Sequence, residues 1–419
     1  MIKKFILNNY LFMFILYYCA LFMEATSLEV DYPYIEVIAK YVRYVAYLLF
    51  FVRIIFLLPE YKKDILSDKW KSKAFIIKCI YVLIAIMIIS ILINFFTTKN
   101  RRIIFLILVL LASYKTDYNK IIKTTMKLQI ILTSILVLLS ILGITQNFIV
   151  PRKDKGLLRY SLGFVYTTNL AQMIVFSSIL YLYTEKLNVK IKDLFVIQTL
   201  NVFTYFITNS RTEFIMLEVI LLITFIWKLL AKVKKGSIIE KTKKIYSSIF
   251  SHTFFIYPFI SLIIVMCYPL GGIWNKFNVI LSNRLQQTYD NIIIYGIKPF
   301  GEKINFLGLG LKDKIQYGNY KSNFVDNEYI KMMFTEGWIF AICFIAILSL
   351  LLIMLYKTKK YKEVMLCSIY LMFSLINPRI VNILYCPILF MIIPTVLKFK
   401  SVEKNKLRKV CSNGKEISN

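Results

Sequence analysis

The chain has 419 residues and a formal charge of +30, yet 58% of its residues are hydrophobic and only 18% are charged. A soluble globular domain is about 45–50% apolar, and a mean hydropathy of +0.65 sets this chain outside that class. The cations are gathered in short runs between apolar blocks of about 17–25 residues, the length that crosses ~30 Å of hydrocarbon, so the charge reads as membrane topology and not as a nucleic-acid surface. All seven cysteines except Cys411 lie in or beside apolar runs, and none forms a C-x-x-C pair. That pattern excludes a disulfide framework and a thiolate metal site.

Lys3-Lys4 precedes an apolar run from Phe5 to Met23, which is long for a signal-peptide core and is followed by no small-x-small cleavage site. It is expected to be an uncleaved first span. Further spans are expected near 37–58, 74–96, 103–114, 128–145, 161–183, 193–208, 213–231, 249–270, 334–356, 364–377 and 380–397, about twelve in all. The fold class expected is an all-α polytopic bundle, a single transmembrane domain over 1–397 with a basic tail over 398–419. Lys-rich connections alternate with Lys-poor ones, and the positive-inside rule places both termini and the tail in the cytoplasm. Two connections break the bias on the outer side, one with Arg152, Lys153, Lys155 and Arg159, the other running from Lys99 to Arg102.

The one long connection, Gly271 to Asn327, falls on the outer face. A long ordered loop among short turns is usually functional. Within it Phe277, Ile280, Leu281, Leu285 and Ile292 recur at helical spacing, which predicts one amphipathic interfacial helix with Arg284 at the edge of its apolar stripe.

Several chemistries are missing. The single histidine, His252, sits at the cytoplasmic end of a span, so neither a histidine metal site nor a His-assisted nucleophile is available outside. No P-loop and no Asp-x-Asp pair is present, so sugar nucleotides and other cytosolic donors do not fit. What remains is cationic and aromatic. Arg152, Arg159, Arg211, Arg284 and Arg379 are the outer cations, and arginine anchors phosphate through paired, charge-assisted hydrogen bonds. Arg211, in Thr208-Asn209-Ser210-Arg211-Thr212-Glu213, has two readings: paired with Glu213 or a phosphate, or a snorkelling interfacial residue.

Four stretches carry a resemblance. They are Arg159 to Ala171, with Gly163, Phe164 and Asn169; Ser210-Arg211-Thr212; Leu281 to Leu285 with Tyr295-Gly296 and Pro299-Phe300-Gly301; and Val325-Asp326-Asn327-Glu328-Tyr329 with Gly337 beyond. In this order they resemble the Wzy-type polysaccharide repeat-unit polymerases, in the superfamily that includes O-antigen ligase. The resemblance implies a metal-independent glycosyltransferase without cofactor. It would join undecaprenyl-pyrophosphate-linked oligosaccharides, of capsular or O-antigen type, at the outer face of the bilayer. A flippase and a chain-length regulator are the implied partners. Arg211 and Arg284 match the family's outer-face arginines, and Arg152, Arg159, Asn169, Asn327 and Arg379 become the implied substrate contacts. Where ligase-like relatives place a histidine before the Asn, this chain has Asp326. Asp326 or Glu328 could then be the base, or either could orient Arg284. A lipid-linked oligosaccharide flippase is the main rival, disfavoured by few Gly and Pro, no half-to-half repeat and one dominant loop; a polysaccharide ligase of the same superfamily, differing only in acceptor, is the second.

Overall fold

The computed structural model describes residues 2–63, 75–151, 157–185, 189–232, 236–281, 283–318, 320 and 322–399. Arg152 and the tail from 400 onward lie outside them. The described chain is helical, in the order α1 Ile2–Asn8, α2 Tyr10–Glu24, α3 Leu28–Asp31, α4 Pro33–Tyr61, α5 Phe75–Thr98, α6 Arg102–Ala112 and α7 Tyr118–Ile141. Then come β1 Ile149–Pro151, β2 Leu158–Tyr160, α8 Asn169–Thr184, α9 Ile191–Thr208, α10 Arg211–Lys232, α11 Gly236–Thr253 and α12 Tyr257–Met266. α13 Ile273–Ile280, α14 Arg284–Tyr295, α15 Leu311–Tyr317, α16 Glu328–Thr335, α17 Trp338–Lys357 and α18 Tyr361–Phe373 complete the order. β1 and β2 pair antiparallel, Val150 opposite Arg159, a small addition to the all-helical expectation.

Five helical segments are long and apolar enough to cross a membrane: Pro33–Tyr61, Lys78–Thr98, Tyr118–Ile141, Glu240–Leu270 and Trp338–Lys357. Shorter apolar helices are Tyr10–Glu24, Arg102–Ala112, Asn169–Thr184 and Pro387–Phe399. α8 buries nearly all of its side chains and α17 most of its own, Trp338 and Ile342 excepted, so they form the centre. α4, α5, α9 and α10 instead leave large apolar residues uncovered, among them Leu48, Phe96, Phe206 and Leu222. A continuous apolar exterior of this kind suits lipid and not water.

The helix limits depart from the expected spans where local chemistry intervenes. The first span is divided into α1 and α2, with Asn9 between them folding its amide back onto Phe5 O at 2.9 Å. α7 starts ten residues before the expected 128, at the N-cap Asp117, whose carboxylate accepts from the Asn119 N–H. The amphipathic helix expected across 277–292 is two helices, because Asn283 adopts φ +64° between α13 and α14. The last two spans do not meet in a tight turn: α18 stops at Phe373, and residues 374–386 run irregularly past Pro378, which has no N–H to give a helix.

One buried cation organises the first helices. Arg53, in the middle of α4, is 3% exposed. It donates to Ala112 O at 2.8 Å, to Ile6 O at 2.7 Å, to Leu7 O, and to Thr116 Oγ1 at 3.3 Å. A guanidinium at this depth is costly unless such acceptors surround it. The C-terminal carbonyls of α1 and α6 supply them.

Candidate functional site

The polar centre is assembled on the irregular stretch after α18. Each of its carbonyls or side chains is taken by a residue from a distant part of the chain. Ser374 O accepts from the Glu328 N–H at 3.0 Å. Leu375 O accepts from Asn327 Nδ2 at 2.9 Å, and Ile376 O accepts from Arg284 Nη1 at 3.2 Å. Asn377 Nδ2 donates to Glu213 Oε1 at 3.3 Å. Arg379 donates to Gln172 Oε1 at 2.9 Å and to Asn169 Oδ1 at 3.2 Å, with Tyr385 beneath its guanidinium at 4.4 Å. Gln172 in turn donates to Glu213 Oε1 at 3.3 Å, which closes the network.

Arg284, the first residue of α14, pairs through Nε with Asp326 Oδ2 at 2.9 Å. Both side chains keep nearly a third of their surface open, 30% and 28%. A half-buried pair gains little net stability once the desolvation of both charges is counted. Stability alone therefore does not account for its place. Of the five N–H donors on a guanidinium, these contacts use two, so the fork retains donors for an incoming anion. Burial pushes the Asp326 carboxyl above the ordinary carboxylate range, with Arg284, Lys331 and Arg379 opposing the rise.

Asn327 caps α16, its side-chain oxygen accepting from the Ile330 N–H at 3.1 Å, and also donates to Ser261 Oγ. Glu328 is buried, and its Oε2 has no hydrogen-bond partner among the described residues. Burial raises its affinity for a proton as well, against Arg102 first and then Lys331 and Arg379. Lys331, one turn on, lies over the Phe324 ring at 4.1 Å. Burial, and after it the charge of Arg102, lowers the Lys331 ammonium to about 8. Neighbouring groups are thus pushed in opposite senses, as happens where charge is handled chemically.

The candidates separate into two sets. Arg284, Asp326, Asn327, Glu328, Asn169 and Arg379 converge on the 374–379 stretch. Arg159, on β2, instead donates to Thr208 O at 2.9 Å, the last turn of α9. Cations suit the carbonyl end of a helix. Arg211 opens α10 as an exposed side chain with no ion pair among the described residues. Its neighbour Glu213 is buried and engaged by Gln172 and Asn377. Gln172, Asn377 and Lys331 were not foreseen as site residues. Gln172 is the polar residue three places after Asn169 on an apolar helix, a spacing that puts both on one face.

Two glycine-bearing motifs hold this end together. Gly301 and Gly337 face one another across backbone, where a Cβ on Gly337 would lie 2.2 Å from Pro299 O and one on Gly301 2.4 Å from Thr335 O. Asn94 of α5 donates to both Phe300 O and Thr335 O, at 2.6 and 2.9 Å. Gly308 and Gly310 similarly admit the ring of Tyr166, whose hydroxyl donates to Asp313 Oδ2 at 2.8 Å. Among the described residues no group of three or more His, Cys, Asp or Glu is placed to hold a metal ion. No family model, curated protein or solved structure matches the chain.

Proposed function

We propose that the chain is a membrane glycosyltransferase of the repeat-unit polymerase kind, working on lipid diphosphate-linked oligosaccharides outside the cell membrane. In this reading about twelve spans cross the bilayer, both termini are cytoplasmic, and residues 271–327 face outward. A flippase delivers the units and a length regulator acts on the product. The observation that carries the reading is the convergence of Arg284, with its partner Asp326, and of Glu328 on residues 374–379 beside Arg379, with Lys331 one turn from Glu328.

In the reaction, a hydroxyl oxygen of the incoming lipid-linked unit bonds to the anomeric carbon of the growing chain. The bond from that carbon to the lipid diphosphate breaks, and its electron pair leaves with the diphosphate. Arg284 and Arg379 oppose the developing negative charge, as preorganised donors do in water-poor sites. The hydroxyl proton passes to Asp326, which has open surface, whereas Glu328 has almost none.

Arg284→Ala and Arg379→Ala should each abolish long polymer, a loss of at least 10²-fold for one electrostatic donor, while single lipid-linked units accumulate on the outer leaflet. Polymer ladders and surface labelling of the units read the two effects. Accumulation confined to the inner leaflet would point to a flippase instead, and undiminished polymer would end the proposal.

A further inference from the structure

A second group of cations lies on the N-terminal half of α4 and at the start of α6, beside the end of α2; one of them, Arg102, is also felt by Glu328 and Lys331 of the first centre. They line an open cavity of about 400 Å³, walled on one side by Val381, Asn382 and Ile383. Lys40, Arg43 and Arg102 share the lining with one carboxylate, Glu24, while the buried Glu328 and Glu336 also feel the charge of Arg102. Arg43 is paired with Glu24. Lys40 and Arg102 are exposed and form no ion pair among the described residues.

The rest of the lining is aromatic and aliphatic. Tyr47 and Phe105 stack face to face at 4.0 Å, and Tyr17 meets Tyr47 at 5.4 Å. Beside Lys40 the surface of α4 is apolar and uncovered: Val37, Tyr41, Val45 and Leu48 are each more than half exposed. A cation on such a face is costly unless an anion or water meets it. Anionic headgroups gather near clustered cations at a bilayer surface. The cavity therefore joins a charged end to a lipid-facing apolar flank, and a soluble anion would use only the first.

We propose that this cavity is a second binding site, for the phosphate or diphosphate head of an anionic lipid. Lys40, Arg43 and Arg102 hold the head, and the Tyr47–Phe105 wall takes the first part of the hydrocarbon chain. The inference needs phosphate recognition alone and does not rest on transfer chemistry.

Native mass spectrometry of the full-length protein, with geranylgeranyl diphosphate as the probe, tests it. The Arg284→Ala background removes a principal anion contact at the other centre. The expected result is one bound lipid in that background, with affinity falling roughly tenfold or more in Lys40→Gln/Arg102→Gln, since hydrogen bonds to charged groups are among the stronger ones. Both substituted residues are exposed and form no ion pair among the described residues, and Lys40→Arg/Arg102→Lys should restore binding. Unchanged affinity in the double glutamine variant would overturn the site. Equal binding of uncharged geranylgeraniol would overturn it too, by assigning the wall alone. Inorganic diphosphate that competes as well as the lipid would overturn the lipid assignment in favour of a soluble anion.

Discussion

Lys331 shows how one side chain at the polar centre is tuned by its surroundings. Its ammonium is lowered to about 8 from 10.5 by burial first and by Arg102 next. Between those two values the unfolded chain holds the proton and the folded chain does not, so this residue makes stability rise with pH from about 8 to 10.5. Lys331→Met should remove that rise. Thermal midpoints in detergent at pH 8 and pH 10 check it: the wild-type advantage should widen with pH, and a constant difference would refute the assignment. Asp326 runs the other way, since its carboxyl is raised by burial. If it takes the acceptor proton, turnover falls as pH drops through a range above 3.8, its ordinary value, and Asp326→Asn should lose the acid limb along with the activity. Not all of this was legible beforehand. The arginines stood out because the positive-inside rule leaves few cations on the outer side, whereas Gln172 and Asn377 are unremarkable until the fold sets both against Glu213.

At the level of elements, the clearest sequence signals were glycines, and their use is backbone contact. Gly337 has φ +96° and no room for a Cβ, which would meet Pro299 O at 2.2 Å. Alanine there combines an unfavourable dihedral, about 1–3 kcal/mol, with a backbone clash that only displacement of the turn at 299–301 relieves. Gly143 has φ +73° with nothing within 4 Å. Gly143→Ala should therefore cost only the dihedral term, while Gly337→Ala should lower the thermal midpoint much further; equal shifts would show that the clasp yields. Asn283 and Pro378 were harder to place. Hydrophobic spacing runs straight across 277–292, and nothing in that periodicity reveals that Asn283 turns left-handed and lets Arg284 start a new helix. Pro378 marks a break but not its extent, because the helix gives way at Phe373, beyond which groups from four other segments (α8, α10, α14 and the start of α16) engage residues 374–379.

For the molecule as a whole, block length and charge distribution were enough for a helical membrane protein, because hydrocarbon thickness fixes helix length. The three-dimensional sorting was not. α8 and α17 read like other apolar runs, yet they are central, while α4 and α5 face outward. Apolar periodicity distinguishes buried from exposed faces only when the exposed side is polar, and lipid removes that contrast. Arg53 was likewise hidden inside an expected span, one cation among aliphatic neighbours. Its hydrogen bonds to Ile6 O and Leu7 O have a practical corollary for anyone handling the protein. Residues 2–8 act as a latch on the helix that carries Arg53, so trimming them to improve expression would strand a charge within the bundle. Deletion of that segment should sharply reduce recovery of monodisperse protein by size-exclusion chromatography, and Arg53→Leu in the trimmed chain should win part of it back.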